Sequence, residues 1–394
     1  MLRLPRRLAA VLTLPLAVAA CSSSARTGTA PSATASGATP ASAAPAPRVT
    51  PVSGIPPLLD AHDVYAADRA GRLSKEAGQA LSLVYVPDSD DATVHVIDPR
   101  TYQVVRVAKV GQLPQHVTPS WDLRTLWVAN DQGNTLTPIN PRTGRFGTPV
   151  PVTDPYNLYF TADGRRAVVV AERLRRLDFR DPHTMALTHS LPVPCQGVDH
   201  ADFSRDGTHA LFSCEFSGEM VYVDMVHERV ERVLRLPRQT SQRPKPQDVK
   251  ISPDGTLYYV ADENSNGVFL IAAATLKVVR FLPTGLGAHG LYVSRDSKDL
   301  YVTNRRGGSV SVLSFATLSV RATWPIPGGS PDMGGVSADG NVLWLSGRYT
   351  REVYALRTGD GRLLARIPVG GQPHGLCVWP QPGRYSLGHT GVLR

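Results

Sequence analysis

Six aspartates punctuate this chain at nearly even intervals: Asp122, Asp163, Asp206, Asp254, Asp296 and Asp339, spaced 41, 43, 48, 42 and 43 residues apart. Four are followed by glycine, at Gly164, Gly207, Gly255 and Gly340. Around each lies the same unit. A loop with Pro and His or Asp leads into a short apolar run, then the turn. A second apolar run ends in Asn, Asp or Cys, and two more strand-like runs follow. A fixed period of this length marks an array of supersecondary units that bury their faces only against each other.

The runs at 257–260 and 278–281 in one unit, and at 300–302 and 310–313 in the next, are short, β-branched or aromatic, and bounded by turn residues. No helical stretch separates them, which argues against a βαβ array. Four such runs per unit predict a four-stranded antiparallel blade, and radial stacking of blades leaves only short, protected edges. The ends complete the count. Runs at 81–86, 93–97 and 104–110 supply three strands, and 374–379 supplies the missing first one. The expected fold is an all-β, seven-bladed β-propeller whose first blade is closed by strands from both termini.

Leu300-Tyr301-Val302-Thr303-Asn304 and Ile251-Ser252-Pro253-Asp254-Gly255 resemble the YVTN-repeat propeller family, with Trp127-Val128-Ala129-Asn130 and Tyr259-Val260-Ala261-Asp262 as looser copies. The resemblance covers residues 81–379. It is specific for fold and weak for function, because similar propellers bind proteins, nucleic acid, d1-type haem or small substrates. No Cys-x-x-Cys-His haem-attachment motif is present.

The first twenty residues read as an export signal. Arg3, Arg6 and Arg7 precede an apolar stretch at 8–20 that is short for a membrane span. Val18-Ala19-Ala20-Cys21 resembles a bacterial lipobox, which implies lipidation at Cys21; an ordinary signal peptide with an incidental cysteine is the alternative. Residues 21–54 are almost wholly Ser, Ala, Thr, Pro and Gly and predict a disordered tether. Residues 55–77 form a non-repeating extension, and the propeller follows from 78 to 394. The implied location is extracytoplasmic, anchored to the cell membrane, with a monomeric domain.

Five arginines and no acids precede residue 55, so the domain itself holds 37 basic against 33 acidic residues. That near balance speaks against a nucleic-acid partner. Of the remaining cysteines, Cys195 and Cys214 lie within one repeat and suit a disulfide or a ligand pair. Cys377 falls in an apolar strand and reads as a buried free thiol.

In each blade the loop entering the first strand and the loop leaving the second emerge on one face. The Asp turns emerge on the other. The entrances hold Gln115-His116, Tyr156-Asn157, Asp199-His200, Gln247-Asp248, His289-Gly290, Asp332-Met333 and His374-Gly375. A second ring carries an acidic sector of Glu172, Glu215, Asp262 and Glu263 and a basic one of Arg305, Arg306 and Arg348. The mouth candidates are thus His116, His200, Asp248, His289, Asp332, His374, Glu172, Glu215, Asp262, Arg305 and Arg348. Converging imidazoles and carboxylates suit Cu or Zn; equally, each side chain could cap its own loop. His62 and His389 lie outside the repeat and receive no assignment.

No Gly-x-Ser-x-Gly, His-Glu-x-x-His or phosphate-loop motif occurs. The leading expectation is a non-catalytic, lipid-anchored propeller that binds a metal ion, small ligand or protein at its mouth. The alternative is a lactonase- or lyase-like enzyme or a d1-type haem-handling protein.

Overall fold

Each repeated aspartate closes the same turn. In the computed structural model, which describes residues 54–389 and 391–394, a hydroxyl two residues upstream donates to each carboxylate. Ser120, Thr161, Ser204, Ser252, Ser294 and Ser337 reach their aspartates at 2.5–2.6 Å. The same carboxylate oxygen accepts a backbone N–H two residues on, for example Thr208 at 3.1 Å and Asn341 at 3.0 Å. The residue between is left-handed, with φ of 69–80° at the four glycines, where a side chain would be strained. Leu123 and Ser297 adopt it as well.

These turns join the first two strands of six blades, and the seven sheets form a ring. Blade 1 is composite: Cys377–Trp379 pairs with Leu83–Asp88, followed by Thr93–Asp98 and Gln103–Lys109. Blade 2 opens with Pro114–Pro119, blade 3 with Asn157–Phe160, blade 4 with Val198–Phe203, blade 5 with Pro246–Ile251, blade 6 with Ala288–Val293 and blade 7 with Pro331–Val336. These innermost strands are buried along their whole length. Outermost strands such as Gln103–Lys109 and Lys277–Pro283 are mostly exposed. Blade 2 departs from the plan. Its fourth strand is split into Arg145–Phe146 and Val150–Pro151, because Pro149 and Pro151 bring no N–H to the ladder.

Side chains of the inner strands also tie each blade to the next. The Tyr159 hydroxyl accepts the Ala201 N–H at 2.8 Å, Asp202 accepts that of Ile251 at 2.9 Å, and Asp248 accepts that of Leu291 at 2.9 Å.

The extension at 55–77 lies over the turn face. Val64 donates its N–H to Pro253, the Tyr65 hydroxyl donates to Ile251, and Asp68 pairs with Arg295 at 2.5 Å. The chain's last residues close the same face. Ser386–Gly388 and Val392–Leu393 form a hairpin that adds to the innermost strand of blade 3, inside the ring, through Gly388 and Tyr159. The Arg394 guanidinium is buried there, 2.8 Å from Asp202 and over the Tyr65 ring. Cys195 and Cys214 are joined as a disulfide, and Cys377 is a buried free thiol. The export signal, Cys21 and residues 21–53 of the tether lie outside the described residues.

Candidate functional site: a buried histidine cluster on the axis

The innermost strands of blades 2, 4, 5, 6 and 7 each carry one extra residue where they enter from the mouth. The ladder slips between Pro114 and His116, Val198 and Ala201, Pro246 and Val249, Ala288 and Leu291, and Pro331 and Gly334. Such a bulge bends the strand and re-aims side chains. Two successive positions per blade can therefore reach the axis. His116 and His200 occupy the second position, His289 and His374 the first, and all four meet.

The ring centroids of His116 lie 5.3 Å from His200 and 4.8 Å from His374; His289 lies 6.5 Å from His200 and 6.1 Å from His374. Close approach depends on Gly375, where a Cβ would stand 1.9 Å from His116 Nδ1. A fifth imidazole completes the cluster from below. His389, carried by the terminal hairpin, has its centroid 4.2 Å from His116 and 4.8 Å from His200. Sequence reasoning missed it because the tail has no counterpart in the repeat.

His116, His200 and His389 are fully buried. Each offers one ring nitrogen to a group whose members all lie within 4.8 Å of one another. Among the described residues, five of their six ring nitrogens have no polar partner. The sixth, His200 Nδ1, stands 2.7 Å from the Asp199 carboxylate in a close ionic contact. Leaving a buried polar group unsatisfied costs about 1–3 kcal/mol, so this is an expensive arrangement for mere packing.

Protonation follows from the surroundings. Burial, then the neighbouring His374 and His200, holds the His116 pKa well below its ordinary value. Burial does the same for His389, His289 and His374, aided by the other imidazoles and by arginines. His200 is the exception: burial pulls it down, but Asp199 and Asp248 outweigh that and raise it. His374 Nδ1 lies 2.7 Å from Asp332 in a hydrogen bond. A carboxylate on one ring nitrogen orients the imidazole and leaves the other free to ligate.

The mouth charges are stitched together rather than segregated. Glu215 pairs with Lys245 at 2.9 Å, Lys245 with Glu263 at 2.9 Å, Glu263 with Arg305 at 2.8 Å, and Arg305 with Asp332 at 3.1 Å. The expected division into acidic and basic sectors thus becomes one alternating arc across four blades. Against the pull of burial, His289, Arg305 and Arg348 keep the Asp332 carboxyl below its ordinary range.

Two candidates serve their surroundings instead. Asp248 spends both oxygens on the N–H groups of Val249 and Leu291 and on Lys250. Asp262 caps its own loop through Ser265 at 2.7 Å, as Asn130 and Asn304 do through Thr135 and Ser309. Local capping was the competing expectation, and it describes this ring position. Glu172 and Arg348 sit at the rim with no ion pair among the described residues; burial and then Asp199, Glu215 and Asp131 push Glu172 up to about 8.

Comparison with known proteins places the fold. Hydrazine synthase from Kuenenia stuttgartiensis is 21% identical with a TM-score of 0.57, covering 66% of this chain and 87% of that one. Dihydro-heme d1 dehydrogenase NirN, solved with DHE, is 16% identical with a TM-score of 0.58 over 84% and 83%. Virginiamycin B lyase from Staphylococcus aureus is 15% identical with a TM-score of 0.56 over 67% and 88%. These likenesses are of fold alone. No curated protein matches the sequence. The model of the YNCE-like beta-propellers matches residues 55–382. The chain belongs to the YNCE-like β-propeller family.

Proposed function

We propose that this propeller binds a first-row transition-metal ion on its axis, through His116, His200 and His389. Five buried ring nitrogens with no polar partner among the described residues, and a sixth held by Asp199, carry the reading. Neutral imidazoles are the form that ligates, which burial favours at His116 and His389, while His200 would release its proton on binding; three histidines leave a tetrahedral ion one open position. Zn or Cu suits the donor set. A tetrahedral ion with metal–nitrogen bonds of about 2.0–2.1 Å needs ligands about 3.3–3.4 Å apart, so binding would draw the rings inward by side-chain rotation. Asp199 and Asp332 would orient His200 and His374 from behind.

The lipobox-like Val18-Ala19-Ala20-Cys21 and the Ser/Ala/Pro-rich tether support an extracytoplasmic, membrane-anchored setting, as does a disulfide, which persists in oxidising compartments. Loss of palmitate labelling in Cys21→Ala would check the anchor.

Metal analysis and titration calorimetry of the purified protein with Zn²⁺ and Cu²⁺ test the site. One ion per chain is expected, with affinity falling in His116→Ala and His200→Ala by at least the roughly 10–100-fold typical of losing a partner that only orients a ligand. The exposed His183→Ala should bind as the parent does. Equal binding by all three variants would defeat the reading.

A further inference from the structure

One of the three imidazoles comes from a part of the chain that the ring does not need for closure. Blade 1 is already completed by Cys377–Trp379. The residues beyond turn back into the axis and add their hairpin to the inner strand of blade 3 through a single paired position, Gly388 with Tyr159. That contact needs glycine: φ is 139° there, and a Cβ would meet the Tyr159 ring at 2.5 Å. The rest of the seat is made of Leu387, Val392 and Leu393 packed into the core and of a few further anchors. Tyr385 stacks on Trp121 with centroids 5.5 Å apart, Ser386 donates its N–H to Trp121 at 3.1 Å, and Arg394 pairs with Asp202 at 2.8 Å. The hairpin thus plugs the axis from the turn face and ends its reach at His389, whose two nitrogens are buried without partners among the described residues.

We propose that ion binding and seating of the terminal hairpin are one coupled equilibrium, so that the tail is a metal-dependent plug. The inference rests on reading the axial cluster as an ion site. With the hairpin withdrawn, only His116 and His200 remain of the three-nitrogen group, and two imidazoles hold an ion far less tightly than three. With it seated and no ion, five ring nitrogens stay buried without a polar partner among the described residues, which favours opening. A ligand that binds only the seated state shifts the opening equilibrium by the factor 1 + [L]/Kd. The tail therefore reports occupancy on the face opposite the mouth.

Hydrogen exchange of the full chain with and without Zn²⁺ tests this. At a hundred times Kd, amides of Leu387, Gly388, Val392 and Leu393 should gain roughly 100-fold protection, and those of the outer strand Lys277–Pro283 should not follow. In His389→Ala the tail amides should no longer respond to Zn²⁺. Arg394→Ala, which touches no ligand, should weaken Zn²⁺ binding by loosening the seat. Tight Zn²⁺ binding by the parent with tail exchange unmoved, or parent-like affinity in Arg394→Ala, would overturn the coupling while leaving the ion site standing; parent-like affinity in His389→Ala would take His389 out of the site and the coupling with it. A parent that binds neither Zn²⁺ nor Cu²⁺ would remove the site reading itself, and the coupling with it.

Discussion

Gly375 shows how little space the axis leaves. A methyl group there would stand 1.9 Å from His116 Nδ1, so Gly375→Ala must push either the ring or the strand. Overpacking of this kind costs about 1–3 kcal/mol, and a lowered denaturation midpoint together with weakened ion binding is the expected result. Glu172 gives a separate signal. Its pKa is pushed up from the ordinary 4.5 to about 8, and burial likewise raises Asp131 to about 7. A carboxyl that keeps its proton longer when folded stabilises the fold at low pH and loses that contribution as pH rises toward its folded pKa. Stability should therefore decline from about pH 5 to about pH 8, and denaturant titrations of Glu172→Gln should show a shallower decline. His116, His200, His289 and His374 were legible as mouth residues because the repeat supplies a register. His389 was not, since a tail used once has no period to place it.

Strand entrances, not strand centres, are where the blades differ. Alternation along a regular strand would send His116 and His289 to opposite sides; the bulge between Pro114 and His116, and that between Ala288 and Leu291, undo this. The sequence carries no mark of a bulge beyond a one-residue disagreement in where histidine falls, so it hints at convergence without fixing it. The Asp turns were fully readable, because Ser-x-Asp with a left-handed residue after it is a local structure. The disulfide joins such an entrance to the neighbouring strand's exit within blade 4: Cys195 precedes the inner strand Val198–Phe203, and Cys214 ends the next, His209–Cys214. Closing a loop of this length stabilises by about 3 kcal/mol in the chain-entropy account. The double variant Cys195→Ala/Cys214→Ala should lose that much in urea titrations. It should also bind Zn²⁺ more weakly, because Asp199 and His200 follow directly on the loosened loop. A stability loss with unchanged Zn²⁺ affinity would assign the bridge to folding alone.

The ring is held shut by two devices at its C-terminal end, and they separate by truncation. Cys377–Trp379 is a strand of three residues, yet it covers the inner edge of Leu83–Asp88 and joins blade 1 to the rest. Without it that edge would present unpaired N–H and C=O groups beside blade 7, an invitation to pair with another chain. Beyond it, Tyr385, Leu387, Val392 and Leu393 are buried in the terminal hairpin, each gaining about 1.5–3 kcal/mol on transfer from water. Ordering the backbone of residues 384–394 costs about 1–2 kcal/mol per residue in return, enough to offset that gain, so the hairpin adds little net stability. Removing residues 384–394 should thus leave a closed, monomeric propeller that melts a few degrees lower, still in one transition, and no longer binds Zn²⁺ tightly. Removing residues 373–394 should cost far more than the extra length suggests: broad, multi-step melting and self-association, seen by calorimetry and size exclusion. The alternating arc from Glu215 to Asp332 spans blades 4 to 7 and would survive either cut, so both outcomes report on closure and not on mouth electrostatics. If the shorter truncation also aggregated, the hairpin would be part of the closure rather than a plug within it.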